Sequence, residues 1–564
     1  MSQSSLSSIA NLSLWLDARD LNYFTYTQIS NDPFYDVTEW RDKSSNAYVF
    51  NPMIPNLRPV LSTNAVKFNI ASSFQFVSQA RIPAASTLDL YMIATPERIR
   101  GPRQPFFDSA DFTLAETDTR INTQVYADGG EFFRNCLTAG FVNGFQVYKG
   151  DLYAATNVAQ VPNFIQRYDR IQRNFVYVRE WPMSTGSTRG MAVLDGKLFT
   201  ASDTRCEWFN GSTAFVSTNF ISSSAYCPVV YNGDYYMMSH GRIWNSATAA
   251  QRPQFYRFNQ TTGRMDLISQ AQTFITGQNW GQYFSNAVNY RGDLYFMATD
   301  DAANGACTRW NGTFYLSNSV LYAQSPINVY MGNILSPRTE IRFFKFNENL
   351  QYNIGRQATF SNNTQAGAIV YKGNLILIKN MNSFNSNVLE IYSGEQGGPF
   401  SNSIMGQLTA ATTSLNQQPG AIVNEGRLFV NWNSSTQVVE FGNGVGMDQP
   451  FDPYTGAPLL IMIRKSPLMT QLWFNGNLVE QEFVSFTYSN QAPREMHVGG
   501  AVGSMSSGFS DSGHDHLTGS IHAVAQYTSN LSQSDRERVE GILAWNYGIQ
   551  SVLPANHPFK NSAP

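Results

Sequence analysis

Three sets of side chains in this 564-residue chain have types and spacings that could do chemistry. The first is the carboxylates of the N-terminal stretch: Asp17, Asp20, Glu39 and Asp42. A retaining glycosidase needs two carboxyl groups about 5–5.5 Å apart. On a strand that calls for even spacing, because side chains alternate between the two faces. Asp17 and Asp20 are three apart, as are Glu39 and Asp42, so on a strand each pair faces opposite ways and reads as turn and rim residues. The six histidines offer no Ser-His-Asp arrangement that sequence can assemble. No catalytic residue is assigned, and the chain is not expected to be an enzyme.

The second set lies in Ser510-Asp-Ser-Gly-His-Asp-His516, where Asp511, His514, Asp515 and His516 crowd one short loop as candidate metal ligands. Loop carboxylates and carbonyls suit Ca²⁺, but histidine nitrogens are soft for that ion and one loop does not complete a shell. The alternative is a solvated loop, and no other cofactor is expected. The third set is Trp208, Trp244, Trp280 and Trp310. Indole faces stack on sugars with little loss of entropy, and packing between sheets is the alternative reading. Cys136, Cys206, Cys227 and Cys307 fall in no CxxC or CxxH spacing and read as buried thiols. Arg291-Gly-Asp293 lies in a repeated turn, which accounts for it.

The elements that must position these groups are strands. Aromatics make up 14% of the chain and charged residues also 14%, with 41 glycines, a composition that favours strands and turns. A hairpin signal recurs, with apolar runs on both sides of a glycine turn: Gln146–Tyr153, Ala192–Phe199, Val229–Tyr236, Val288–Tyr295, Ile369–Ile376 and Ile422–Phe429. The turn glycines are Gly150, Gly196, Gly233, Gly292, Gly373 and Gly426. Units of about 40–50 residues built of hairpins indicate propeller blades. The 81-residue interval from Gly292 to Gly373 leaves room for a degenerate seventh copy near Tyr330-Met-Gly-Asn-Ile334, with six blades as the alternative. Cys206–Gly211, Phe255–Asn259, Thr308–Gly312 and Val388–Tyr392 read as further strands of these units. One helix is expected, Ser534–Tyr547, with Ser534 and Glu537 as a capping box and Gly548 just past its end.

The stretches on either side of the repeats resemble a known family. Leu14-Trp-Leu-Asp-Ala-Arg-Asp20, Val37-Thr-Glu-Trp-Arg-Asp-Lys-Ser44, Arg58-Pro-Val60 and Val66-Lys-Phe68 are similar to the first half of LamG, concanavalin A-like jelly-roll domains. Leu472–Gly476, His497–Gly500, Gly519–Val524, Val539–Gly548 and Leu553–Lys560 are similar to the second half. The C-terminal string resembles the tail of such modules in structural proteins of large DNA viruses and marine phages. The resemblance covers the two flanks alone and implies one LamG-like jelly roll, residues 1–135 and 446–564; the repeats between them, residues 136–445, read as an inserted six- to seven-bladed β-propeller that loosely resembles kelch-like ones, so the chain is expected to be all-β.

The function implied is that of a non-enzymatic virion protein. It would be a capsid-associated or fibre component, lectin-like, made in the host cytoplasm and placed on the particle exterior. Its partners would be other virion proteins and a host surface glycan. The alternatives are a carbohydrate-active enzyme of the jelly-roll type and a cellular adhesion or scaffolding module. With 38 basic against 41 acidic residues, the net charge of −3 gives no footprint for nucleic acid. The densest apolar run, Pro458–Ile463, is too short for insertion into a membrane. The N-terminus lacks the basic and apolar regions of a secretory leader.

Overall fold

The computed structural model describes residues 5–28, 35–53, 58–68, 75–97, 104–117, 120–127, 133–137, 141–157, 164–182, 421–433, 437–451, 455–483, 493–501, 506–507 and 517–564, and between 188 and 409 the strands of four further sheets with some of their turns. Among the described residues the chain is all-β with one α-helix, Gln533–Asn546.

Strands from both flanks interleave in one 17-stranded sheet. Leu459–Ser466 of the second flank pairs with Leu88–Pro96 of the first. Gly519–Tyr527 lies between Leu12–Asp17 and Leu88–Pro96, and Asn443–Pro450 pairs with Arg120–Ala127. The central strands are nearly continuous apolar runs because both of their faces are buried. Leu88, Leu90, Met92, Ile461 and Ile463 point into a core that the sheet encloses. Tyr91, Ile93, Leu460 and Met462 point the other way, onto the helix. A register shift between Ile521 and Ala523 keeps Val524 on the inner face and Ala525 and Tyr527 on the outer one.

The helix covers that outer face with Val539, Ile542, Leu543 and Ala544, all buried. Its N-cap is Ser532, whose hydroxyl accepts from the Asp535 amide at 3.1 Å. The expected capping box at Ser534 is therefore two residues late: Ser532 already satisfies one of the free N–H groups of the first turn, and Ser534 lies inside the helix. Glu537 instead accepts from the side chain of Gln533. Gly548 follows the helix at φ 70°, the left-handed position where glycine costs least.

Between the flanks lie six smaller antiparallel sheets. Leaving aside the short edge strands Gly241–Arg242 and Ser506–Ser507 and the sixth sheet's Phe133–Leu137, their first strands are Phe141–Tyr148, Thr188–Leu194, Ala225–Tyr231, Gly281–Tyr290, Gln365–Tyr371 and Ala421–Asn424. Each first strand neighbours the next, and the sixth returns to the first, so the sheets form a closed ring. The ring is tied shut by Phe133–Leu137, which precedes the first sheet in sequence but pairs with Gln437–Phe441 of the sixth. Among the described residues the long interval before Gly373 holds a two-stranded sheet rather than a seventh unit like the others, and Tyr330–Gly332 of the expected seventh copy is the end of one of its strands, not a turn. Cys307–Ser317 and Val320–Gly332 pair with each other as one long hairpin, inserted between Asp293–Asp300 and Glu340–Phe346 of the fourth sheet. Thr308–Gly312, expected as an outer strand, is part of that hairpin. A hairpin and a blade begin with the same apolar–turn–apolar pattern, so spacing alone does not separate them.

Candidate functional site

The residues singled out for chemistry do not converge. Trp208, on strand Cys206–Phe209, is half-buried between the second and third small sheets, with its ring 6.0 Å from Phe199 and 5.3 Å from Phe258. Trp310 lies on the strand Cys307–Ser317 opposite Val329. Trp244, Trp280 and the loop residues Asp511, His514, Asp515 and His516 lie outside the described residues. Among the described residues no three of His, Cys, Asp and Glu gather in a way that could hold a metal ion.

Four of the flank motifs, in contrast, meet at one place. Asp17 ends its strand, and its carboxylate accepts from the Arg19 amide and guanidinium at 3.1 Å and from Lys43 Nζ at 3.3 Å. The Tyr547 hydroxyl lies 2.6 Å from the same carboxylate and 2.7 Å from the His522 carbonyl. Arg19 stacks over the Tyr547 ring at 4.7 Å and donates to the Asn546 carbonyl at 3.0 Å. Asp20 was expected to face away from Asp17. It instead caps a short 3₁₀ turn, Leu21–Tyr23, and comes back to Lys43 at 2.8 Å, because the strand has already ended at Asp17. Asp42 is consumed separately, accepting from the Trp15 amide, the Ser44 amide and the Ser44 hydroxyl at 2.6–2.8 Å.

This cluster ties both ends of the chain together. Burial raises the Asp17 pKa, but the hydrogen bonds from Arg19 and Tyr547 and the charges of Arg19 and Lys43 outweigh it, and the carboxyl is held below its ordinary value. Tyr547 is pushed well up by burial and by Asp17. An ionised acid saturated with donors is a poor proton shuttle. Lys43 Nζ sits 4.1 Å over the Trp15 ring, occupying the face a sugar would need.

A second cluster forms the seam between the ring and the large sheet. Three of the repeat's turn glycines abut residues of the flanks. A Cβ on Gly150 would lie 2.1 Å from Asp448, which Arg120 holds at 2.6 Å. One on Gly373 would lie 2.6 Å from Arg494, itself paired with Asp108 at 2.7 Å and 5.8 Å above the Tyr126 ring. One on Gly426 would lie 2.5 Å from the Val125 carbonyl. Behind Gly426, Arg427 joins Glu425 and Glu440, and Glu440 also accepts from Tyr168 at 3.2 Å and from the buried Cys136 thiol at 3.8 Å. Burial raises the Asp448 pKa, and Arg120 offsets this only in part. The sequence carries no signal for this seam. The glycines are legible as turns, but the arginines that lie against them come from flank positions without a motif.

No family model matches the chain, and no curated protein matches it. Among solved structures, the chain is similar to the extracellular domain of a one-component system protein from B. thetaiotaomicron, at 10% identity and TM-score 0.28, covering 62% of this chain and 39% of that one. It is also similar to a protein described as a 6-phosphogluconolactonase from Bacteroides uniformis, at 13% identity and TM-score 0.30, covering 57% and 97%. Extracellular domains 1–2 of Drosophila semaphorin 1a match at 8% identity and TM-score 0.27, covering 61% and 88%. The chain spans less than half the length of the first of these. At such identities and TM-scores the likenesses carry no inference about fold or activity. Among the described residues no helix is long and apolar enough to cross a membrane.

Proposed function

We propose that this chain is a non-enzymatic virion protein, an exterior capsid-associated or fibre component. In this reading the two flanks form one split LamG-like jelly roll, and the ring of six sheets is a β-propeller inserted into it. One observation carries the reading. Four of the nine segments on which the LamG resemblance rests, 14–20 and 37–44 from one flank and 519–524 and 539–548 from the other, supply the residues of a single clasp around Asp17. A motif whose parts meet in space is that of one module rather than of scattered coincidences.

The buried acids support a binding role over turnover. Asp17, Asp89, Asp108, Asp111, Glu440 and Glu540 are each engaged by a cation of the fold. Other virion proteins are the proposed partners, and a host surface glycan is the proposed distal ligand. The C-terminal segment is less free to reach partners than its sequence suggests. Leu553 and His557 are buried, Trp545 donates to the Phe559 carbonyl at 2.8 Å, and His557 meets Glu540 at 3.1 Å. Its inner side is docked on its own helix, which leaves the flank sheet and the outer side of the tail for assembly contacts.

Mass spectrometry of purified particles of the virus encoding the chain tests the assignment, and the chain is expected among the exterior proteins. Its absence there overturns the reading. Glycan-array binding without hydrolysis of the bound polysaccharide is the expected companion result, and hydrolysis would favour a carbohydrate-active enzyme.

A further inference from the structure

Lys465 and Asp111 face each other in the core of the large sheet, with Nζ 2.8 Å from Oδ1 and side-chain exposures of only 1% and 4%. Lys465 follows Ile461 and Ile463 on the inner face of the strand Leu459–Ser466, and its cross-strand partner is the core residue Leu88. Asp111 sits on the turn between Gln104–Asp108 and Phe112–Thr117. Its Oδ1 also accepts from the Ala85 amide at 3.0 Å, which fixes the carboxyl in place.

A buried lysine and carboxyl held this close can exist as an ion pair or, once a proton moves from the ammonium to the carboxylate, as a neutral amine beside a neutral acid. Desolvation favours the second form. It raises the Asp111 pKa, against the opposing charges of Lys465 and Arg494. The neutral pair holds the two reactants of amide formation, already positioned, and such positioning replaces the entropy that a bimolecular reaction must lose.

We propose that Lys465 and Asp111 mature into an intramolecular isopeptide bond that staples the two flanks together. The lone pair of Nζ attacks Cγ of the protonated Asp111 carboxyl, and a C–N bond forms. The Ala85 amide, which already donates to Asp111 Oδ1 at 3.0 Å, is the donor at hand for the tetrahedral oxyanion. The C–O bond to the hydroxyl then breaks, and the hydroxyl leaves with a proton from nitrogen as water. The product is a neutral secondary amide plus one water, with no oxidant, reductant or activating group required. The apolar surroundings favour expelling the water and remove the cost of keeping two charges in the core.

The position of the pair gives the bond a purpose. Asp111 and Lys465 are 354 residues apart, on opposite sides of the inserted ring. A covalent link there closes the flanks behind the ring, and cross-links around long loops constrain the unfolded chain most. It would do what a disulfide does in other proteins.

The test is the intact mass of the purified full-length protein after prolonged incubation, followed by peptide mapping. The expected mass is that of the sequence less one water, with a branched peptide joining the segments that contain residues 111 and 465. Lys465→Met is expected to keep its full sequence mass. Asp111→Asn is expected to close with loss of ammonia in place of water, which marks the acyl donor. A wild-type mass equal to that of the sequence overturns the proposal. So does a water loss that persists in Lys465→Met, since it then arises elsewhere. If Lys465→Met does not fold, the wild-type mass and branched peptide decide the matter alone.

Discussion

Tyr148 donates its hydroxyl to the main-chain carbonyl of Gly196 at 3.0 Å, tying the first strand of one small sheet to the turn of the next. The same bond recurs elsewhere in the ring, where Tyr371 donates to the Gly426 carbonyl at 3.1 Å. Both tyrosines stand two residues before their own turn glycine, in Tyr-Lys-Gly, and both rings are buried. The repeat thus encodes a joint between sheets as well as a turn within each.

Removing either hydroxyl leaves a carbonyl without that donor, in a buried site at Gly426 and a partly buried one at Gly196. Tyr148→Phe and Tyr371→Phe are each expected to lower stability by about 0.5–1.5 kcal/mol, the net worth of one hydrogen bond. Denaturant titration of the single variants checks this. Unchanged midpoints in both would mean that the joints contribute nothing.

Gly426 is held at φ 69°, and a Cβ there would meet the Val125 carbonyl at 2.5 Å and the Gly444 Cα at 3.0 Å, backbone atoms that cannot rotate away. Gly456 has a similar φ of 60° but open space around it. Gly456→Ala is expected to cost about 1–2 kcal/mol for the left-handed backbone alone. Gly426→Ala should cost clearly more, because the sixth sheet must also move off the large sheet. Equal costs in thermal unfolding would show that the seam yields freely at this point.

The repeats were legible because a hairpin leaves a local trace. The turn glycines Gly150, Gly196, Gly373 and Gly426 all have positive φ, as the pattern required. The count of units was less legible, since the interval long enough for a seventh copy is taken up in part by the hairpin Cys307–Gly332, whose two strands lengthen the fourth unit's connection. The helix was visible through Val539, Ile542 and Leu543, but its start was not, because Ser532 and Ser534 are chemically equal caps and only the backbone direction chooses between them. The clasp was the least legible part. Asp17 and Asp20 look like opposite faces of a strand until one knows that the strand stops at Asp17. Which arginine answers which acid, as Arg494 does Asp108 across 386 residues, has no local trace at all.

His522 supplies a test by pH. Its Nδ1 lies 3.0 Å from the Asn64 carbonyl, which can only accept, so that nitrogen carries the proton and Nε2 accepts from the Thr95 hydroxyl at 2.9 Å. Burial lowers the His522 pKa below its ordinary 6.5, offset only in part by the Asn64 carbonyl. The unfolded chain therefore binds the proton first as pH falls. The contribution of the neutral ring is complete above pH 6.5 and is lost as the pH drops from there through the lower folded value. His522→Gln is expected to flatten this part of the stability profile, on the acid side of pH 6.5. A variant with an unchanged slope in that window would show that His522 does not titrate on unfolding.

The last prediction concerns the contact between the helix and the large sheet. Leu543 is 1% exposed and belongs to the cluster that Tyr91, Ile93, Leu460 and Met462 form on the outer face of the central strands. Those strands hold both flanks, so the helix covers the place where the two ends of the chain are joined. Leu543→Ala removes methyl groups from a site walled by strands that cannot collapse inward, since their other face is packed in the enclosed core. The expected cost is about 2–5 kcal/mol, as for other buried leucines cut back to alanine. Leu21→Ala, at a position 48% exposed, serves as the control and should stay within about 0.5 kcal/mol of the parent. Calorimetric unfolding of the two variants side by side decides the point. A Leu543→Ala protein as stable as the Leu21→Ala protein would mean that the helix is not seated on the sheet.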